Sequence, residues 1–322
     1  VTGADAAAVS TGDWPEVLAV VGPTASGKSA VALELADRIG AEIVNADAFQ
    51  VYRGMDVGTA KPTAADRARI RHHLLDIRDV TEELSVAQYQ ALGREVLHDL
   101  AARQLPAVVV GGSGLYVRAL LDDLQFPGSD PAIRARWEAE LARLGPAGLH
   151  AVLAERDPQA AAHILPSNGR RIVRALEVGQ MTGEGFTATL PVDGPALVPH
   201  RAFGLEIARP ELDARIAARV SAMFDEGLVD EVRGLLEHGL RQGPTAGRAL
   251  GYPQVIDLID GRVDEAGARE RIVAATRAYA RRQQRWFRRD PRIHWLPAPA
   301  DPESTAAEIA ARRAARGRTL GA

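Results

Sequence analysis

There is no cysteine in this chain, which removes disulfides, thiolate metal sites and cysteine nucleophiles together and gives no argument for an oxidising compartment. No run is long and apolar enough to span a bilayer. Residues 1–13, expected to be disordered, lack the basic start and apolar core of a secretion signal, so a cytoplasmic location without a membrane partner is expected. Lysine is almost missing: of 39 basic residues, only Lys28 and Lys61 are lysine. In a chain that otherwise uses arginine, these two mark places where a compact ammonium fits and a planar guanidinium does not, although Lys61 alone reads equally well as a stray surface residue. Excess positive charge is lacking too. A net charge of −3 is not that of a general nucleic-acid binder, so a polyanion would have to meet a local basic face. What remains is 322 residues with 46% hydrophobic content, enough for one elaborated domain or two.

The stretch Gly22-Pro-Thr-Ala-Ser-Gly-Lys-Ser29 organises the rest. It fits G-x-x-x-x-G-K-[ST] and lies between an apolar run, Val17 to Val21, and a helical pattern from Ser26 to Ile39 that Gly40 stops. Glycines there let backbone N–H groups form a nest at a helix N-terminus, where a diphosphate or the phosphates of a nucleotide such as ATP would sit. Lys28 adds a point charge, and Ser29 offers a hydroxyl to phosphate or to Mg²⁺. A second strand, Ala41 to Ala46, makes strand–helix–strand, the opening of a parallel α/β sheet whose ligands lie beyond the strands' carboxyl ends. Asp47 falls at that edge and opens a polar, glycine-rich loop to Pro62. An acid there can ligate magnesium, accept a proton, or serve as a turn or cap residue. His72 and His73 read as packing residues, since neighbours on an element point apart and no partner stands at ligand spacing.

Ser85 is the expected N-cap of a helix to Arg103, and Leu105 to Val110 the next buried strand. That strand runs into Gly111-Gly112-Ser113-Gly114 where many phosphate-loop proteins place a magnesium-holding acid, which argues against an ordinary ATPase or switch GTPase. The glycine pair permits close approach to a ligand. Ser113 presents a hydroxyl, caps the next helix, or does both. From Pro131 the pattern turns helical, broken at Gly145-Pro146, Asp157-Pro158 and Pro166 to Gly169, so residues 126–198 are expected to be an all-helical insertion between core segments 14–125 and 199–322. Arg134 with Arg136, and Arg170, Arg171 and Arg174, form basic clusters that also suit a solvated face. The segment Asp264 to Arg289 is the most basic helix. Arg277, Arg281, Arg285 and Arg288 run near one stripe, interleaved with Tyr279 and Trp286, in a composition that suits nucleic-acid phosphates and equally an arginine-coated surface.

Taken together, GPTASGKS, NADAFQVYRGMDVGTAKP, HHLLDI, GGSGLYVRAL, PSNGRRIVRALEV, GRALGYPQ and RRQQRWFRR, in this order, resemble the bacterial tRNA dimethylallyltransferases (tRNA isopentenyltransferases) over residues 16 to 297. The resemblance implies a phosphate-loop, nucleoside-kinase-like α/β core with a parallel sheet flanked by helices, plus a helical insertion that grips an anticodon stem. It implies a monomeric prenyltransferase of tRNA processing that moves the dimethylallyl group of dimethylallyl diphosphate to N6 of adenosine 37, with Mg²⁺ assisting. By that resemblance the diphosphate site comprises Gly22, Pro23, Thr24, Ala25, Ser26, Gly27, Lys28 and Ser29, with Arg248 as a further phosphate contact. Asp47 becomes the general base, and Ser113 helps place the adenine. Asp47, Ala48, Phe49, Gln50, Ser113, Arg134, Arg170, Arg171, Ile172, Val173 and Arg174 match tRNA-contacting positions. Two residues depart from the family pattern: Ala48 stands where serine is usual and Ser113 where threonine is. Rival readings are an adenylate dimethylallyltransferase acting on free nucleotide, a nucleoside-type kinase, and a non-enzymatic RNA-binding protein.

Overall fold

The computed structural model describes residues 14–186, 195–298 and 301–317; the stretch 1–13, expected to be disordered, lies outside them. The first strand, β1 (Val17–Val21), is buried along its whole length because both faces are covered. Val17, Ala19 and Val21 point into one apolar core, Leu18 and Val20 into another, the pattern of a central parallel strand. Helix α1 (Lys28–Ile39) follows and ends at Gly40, whose φ of 66° and N–H satisfy the last carbonyls. Next come β2 (Glu42–Asn45), α2 (Ala64–Arg69), the short β3 (His72–His73), α3 (Val86–Ala102), β4 (Ala107–Gly111) and α4 (Gly114–Leu121). Ser85 caps α3 as expected, exchanging bonds with Gln88 in a capping box. The histidine pair is structural among the described residues: His73 meets Glu42 at 2.5 Å and His72 the Ile70 carbonyl at 2.8 Å.

Helices α5 (Pro131–Arg156), α6 (Pro158–His163) and α7 (Gly169–Thr182) pack on one another around Trp137, Leu149, Leu153, Ile172 and Leu176. Gly145, at φ 69°, breaks α5 just before Pro146. This unit spans 124–194, and the remainder, up to 123 and from 195, is the other compact unit. Against an expected 126–198, residues 195–198 belong to the core. The reason is a backbone seam: Asp123 donates to Pro195, and Leu197 and Val198 both donate to the Leu121 carbonyl, at 3.0–3.1 Å.

The core resumes with β5 (His200–Glu206), α8 (Arg209–Asp225), α9 (Leu228–Glu237), a 3-10 turn at Ala246–Arg248, α10 (Tyr252–Ile259), α11 (Glu265–Phe287), β6 (Ile293–Pro297) and α12 (Pro302–Gly317). All six strands are parallel, in the order β3-β2-β4-β1-β5-β6. The register sets Val21 beside Gly111, and Asn45 beside Val110, so the loops opening at Gly22, Ala46 and Gly112 leave one edge together. That edge is the ligand side of such a sheet.

The loop from Asp47 to Pro62 is held at two anchors. The Glu231 carboxylate on α9 accepts the N–H groups of Asp56, Val57 and Gly58 at 2.6–3.1 Å and the Tyr252 hydroxyl at 2.7 Å. Lys61 is buried, and its ammonium donates to the Tyr52 carbonyl, Asp56 and Asp76 at 2.6–2.7 Å. Three donors meet three acceptors, which explains why this position is lysine: a guanidinium is wider and flat. Asp76 is partly desolvated, which raises its carboxyl, but bonds from Lys61 and Arg67 outweigh that and hold it below the usual carboxylate range. Lys61→Met is expected to lower unfolding free energy by about 2–4 kcal/mol, read from the urea midpoint. A loss under about 0.5 kcal/mol would put these pairs with exposed ones.

Candidate active site

The phosphate loop leaves β1 at Gly22 and enters α1 with no side-chain cap and no acid in the first turn. Gly27 takes φ 87° and Ala25 φ 64°, left-handed conformations that turn successive N–H groups inward. The helix start therefore keeps its free donors for an anion. Lys28 lies half-buried among the cavity residues, with Nζ 3.3 Å from the Pro23 carbonyl. Burial first, then the positive charge of Arg219, lower its pKa to about 8, while Asp47 opposes the shift. Arg219, on α8, is itself lowered by burial, with Asp47 and Glu226 opposing. The sequence reading did not single it out. Its signal was present: Leu212, Ile216, Arg219 and Met223 follow helical spacing, so Arg219 is a charge set in an apolar stripe.

These side chains line a cavity of about 500 Å³ together with Thr24, Ser29, Asp47, Arg248, Tyr279 and Gln283. Asp47 is a turn residue and more. One carboxylate oxygen accepts the Phe49 N–H at 2.9 Å, and its own N–H donates to Asn45 Oδ1 at 3.1 Å. Its Oδ2 makes no bond to a described residue, so a fixed carboxylate presents a free oxygen to the cavity. Ala48 and Phe49 pack partly against the core, and the Gln50 amide donates to the Thr59 and Ala60 carbonyls at 3.1 and 3.2 Å. In this structure Gln50 shapes its own loop. Arg248, on the 3-10 turn, is exposed at the cavity wall.

The glycines after β4 have a different reason from the one expected. A Cβ on Gly111 would collide with the Ala46 backbone, on Gly112 with the Gln283 amide, and on Gly114 with the Trp286 indole. The close approach is to the protein itself. Gln283, 5% exposed, accepts the Thr24 N–H at 2.9 Å and donates to the Gly112 carbonyl at 2.9 Å, tying the phosphate loop to the loop that carries Ser113. Ser113 begins α4 without a side-chain capping bond. Its partner is Tyr279, whose phenol is pushed up to about 12 by burial and by Asp47, against hydrogen bonding to Ser113 and Gln283.

A family model described as IPP transferase matches residues 50–290. The chain belongs to the IPP transferase family. Relatives include a tRNA dimethylallyltransferase of Kineococcus radiotolerans, 58% identical over 91% of this chain and 95% of that protein, and one of Thermobifida fusca, 58% identical over 87% and 89%. The crystal structure of a full-length tRNA isopentenylpyrophosphate transferase from Bacillus halodurans aligns with a TM-score of 0.69 at 36% identity, covering 93% of this chain and 96% of that one. A eukaryotic dimethylallyltransferase acting on tRNA shares the fold, with a TM-score of 0.72 at 23% identity over 89% of this chain and 74% of that one.

In this IPP transferase several residues of the expected RNA surface also have structural roles within the helical unit. Glu177, fully buried, accepts from Ser129 Oγ at 2.6 Å, the Asp130 N–H at 3.1 Å, Arg134 at 3.2 Å and Arg174 at 3.0 Å. Arg174 also donates to the Pro127 and Gly128 carbonyls. Both arginines thus neutralise a buried carboxylate. Ile172 and Val173, counted among tRNA-contacting positions, have their side chains in the unit's core. Arg170 and Arg171 are exposed, beside the N-cap Asn168.

Among the described residues no group of three or more His, Cys, Asp or Glu is placed to hold a metal. Ser29 is an exposed hydroxyl at the start of α1, the donor type that takes up magnesium arriving on a diphosphate. Arg219→Ala is expected to weaken binding of inorganic pyrophosphate about tenfold or more by calorimetry, and exposed Arg248→Ala by less. Equal affinities for wild type and Arg219→Ala would remove Arg219 from the anion site.

Proposed function

We propose that this enzyme transfers the dimethylallyl group of dimethylallyl diphosphate to the exocyclic N6 of adenosine 37 of tRNA, releasing diphosphate. The observation that supports this most is one carboxylate, Asp47, with a free oxygen in a cavity whose other wall is a phosphate loop flanked by two desolvated cations. Diphosphate rests on the loop, with Lys28 and Arg219 against its oxygens and the allylic carbon directed at the acceptor. N6 attacks that carbon, the C–O bond breaks, its electron pair leaves on diphosphate, and the N6 proton passes to Asp47. An exocyclic amine is a poor nucleophile, so a positioned base contributes about 10²–10⁴-fold. The two cations stabilise the charge that grows on the leaving group. Magnesium held by Ser29 and the diphosphate oxygens would neutralise part of that charge.

The Gln283 tie fixes the loop that carries Ser113 relative to the cradle. The adenine must leave the loop stack to enter such a cavity, which favours the single-stranded anticodon loop over duplex RNA. Arg170 and Arg171 supply the helical unit's grip on that stem-loop. No described helix is long and apolar enough to cross a membrane. We place the enzyme in the cytoplasm because its proposed substrate is tRNA. A kinase reading is disfavoured by glycines where β4 would carry a metal-holding acid.

Labelled dimethylallyl diphosphate given with unmodified tRNA or with AMP tests the reading: label is expected on tRNA, and label on AMP alone would overturn it. Asp47→Ala should lower kcat by about 10²-fold or more with tRNA affinity unchanged. Arg171→Ala should weaken tRNA binding and flatten its salt dependence by about 0.7–0.9 in the log–log slope. Arg174→Ala should chiefly destabilise the helical unit, seen as a lower thermal midpoint; a slope change with full stability would return it to the RNA surface.

A further inference from the structure

Strand β2 ends at Asn45, a polar residue only 2% exposed that lines the cavity two positions before Asp47. Its amide is used at three points. Oδ1 accepts the Asp47 N–H at 3.1 Å, and Nδ2 donates to the Asp47 carbonyl at 3.3 Å and to the Leu74 carbonyl at 3.2 Å. One N–H and two carbonyls can be served by only one orientation of the amide, so its oxygen and nitrogen are placed by their partners. A turn that merely ends a strand needs the first of these bonds alone. The other two make one side chain hold the backbone of Asp47 by both its N–H and its carbonyl, and tie it to a separate segment. Aspartate has the same shape but no donor, and leucine has neither donor nor acceptor. Either would leave the Asp47 and Leu74 carbonyls without this partner.

The frame behind Asn45 is fixed. Leu74 and Asp76 take φ of 63° and 55°, left-handed for residues that carry a Cβ. Asp76 is held by Lys61, and the N–H groups of Asp76 and Ile77 reach the Gln50 and Val51 carbonyls at 3.4 and 2.9 Å. The Leu74–Ile77 segment therefore runs along the loop that Asp47 opens. On another side the fully buried Tyr89 donates its hydroxyl to the Asn45 carbonyl at 3.0 Å, and its ring lies 4.3 Å from that of Tyr116 in α4. Asp47 has less support of its own. Its carboxylate accepts from Phe49 within the same loop, and Ala48 brings no hydroxyl. A base on a loop must be held closely to its working position, because a misplacement of about 1 Å costs about 10²-fold in rate.

We propose that Asn45 is the positioning residue for Asp47, fixing the backbone on both sides of the carboxylate so that its free oxygen faces the acceptor amine. The proposal deepens the tRNA reading above and rests on it, with Asp47 as the base. It gives the buried amide a task that ending β2 does not require.

The test uses the full-length enzyme with unmodified tRNA and follows single-turnover prenyl transfer at saturating substrates. Asn45→Ala is expected to slow transfer about 10- to 100-fold, with affinities for tRNA and for inorganic pyrophosphate within about twofold. In an Asp47→Ala background the same change should alter the residual rate by less than about twofold, since a residue that acts through Asp47 has nothing left to position. Asn45→Ser keeps an acceptor for the Asp47 N–H and loses the reach to both carbonyls, so its loss should be smaller, about three- to tenfold. If Asn45→Ala does not fold, Asn45→Ser carries the same comparison. A wild-type rate in the Asn45 variant, or an equal loss with Asp47 present and absent, would overturn the positioning role while leaving the transferase reading intact. No label on RNA from the wild type, or an undiminished rate in Asp47→Ala, would instead remove the reading on which the proposal stands.

Discussion

Two desolvated cations facing one carboxylate are the constraint on which this site depends. Lys28 and Arg219 each lose affinity for their own proton through burial, and Asp47 alone among the named neighbours opposes the shift for both. In the proposed complex a diphosphate would supply negative charge to both cations and lie at a helix N-terminus as well. In the proposed reaction the same arrangement separates roles: positive charge gathers where the leaving group would sit, and Asp47 keeps one oxygen for a proton because the Phe49 N–H occupies the other.

Holding three groups from three distant stretches together falls to the sheet and to α11. Parallel pairing brings the loops after β1, β2 and β4 to one edge, and the Gln283 amide joins two of them, with an acceptor for Thr24 and a donor for Gly112. Glutamate lacks that donor and leucine lacks both. The loop that carries Asp47 gains its shape from Lys61 and Glu231, charges spent on backbone groups and neighbouring acids. In the helical unit, Glu177 plays the corresponding part, drawing Arg134 and Arg174 inward.

Much of this was legible in the sequence because local chemistry set it. The phosphate loop, Gly40 ending α1, Ser85 capping α3 and Asp47 at a strand's edge all follow from short-range rules. The helical run from Pro131, broken at Gly145-Pro146 and Asp157-Pro158, placed the helical insertion. What stayed hidden was long-range. Arg219 acts beside a lysine 191 positions away in the chain, and only its place in an apolar stripe betrayed it. Gly111 and Gly112 looked like room for a ligand, but the neighbours that need the room come from other elements. Arg174 could not be recognised as a structural residue in sequence, because the carboxylate it neutralises, Glu177, is identified as buried only by the packing of the helical unit.

The most direct measurement is a crystal structure of the enzyme with pyrophosphate and an unmodified anticodon stem-loop. The account predicts pyrophosphate on the α1 N-terminus bonded to both Lys28 and Arg219, and adenosine N6 at about 2.6–3.2 Å from Asp47 Oδ2. Pyrophosphate seated away from Arg219, or N6 facing another group with Asp47 beyond reach, would contradict it.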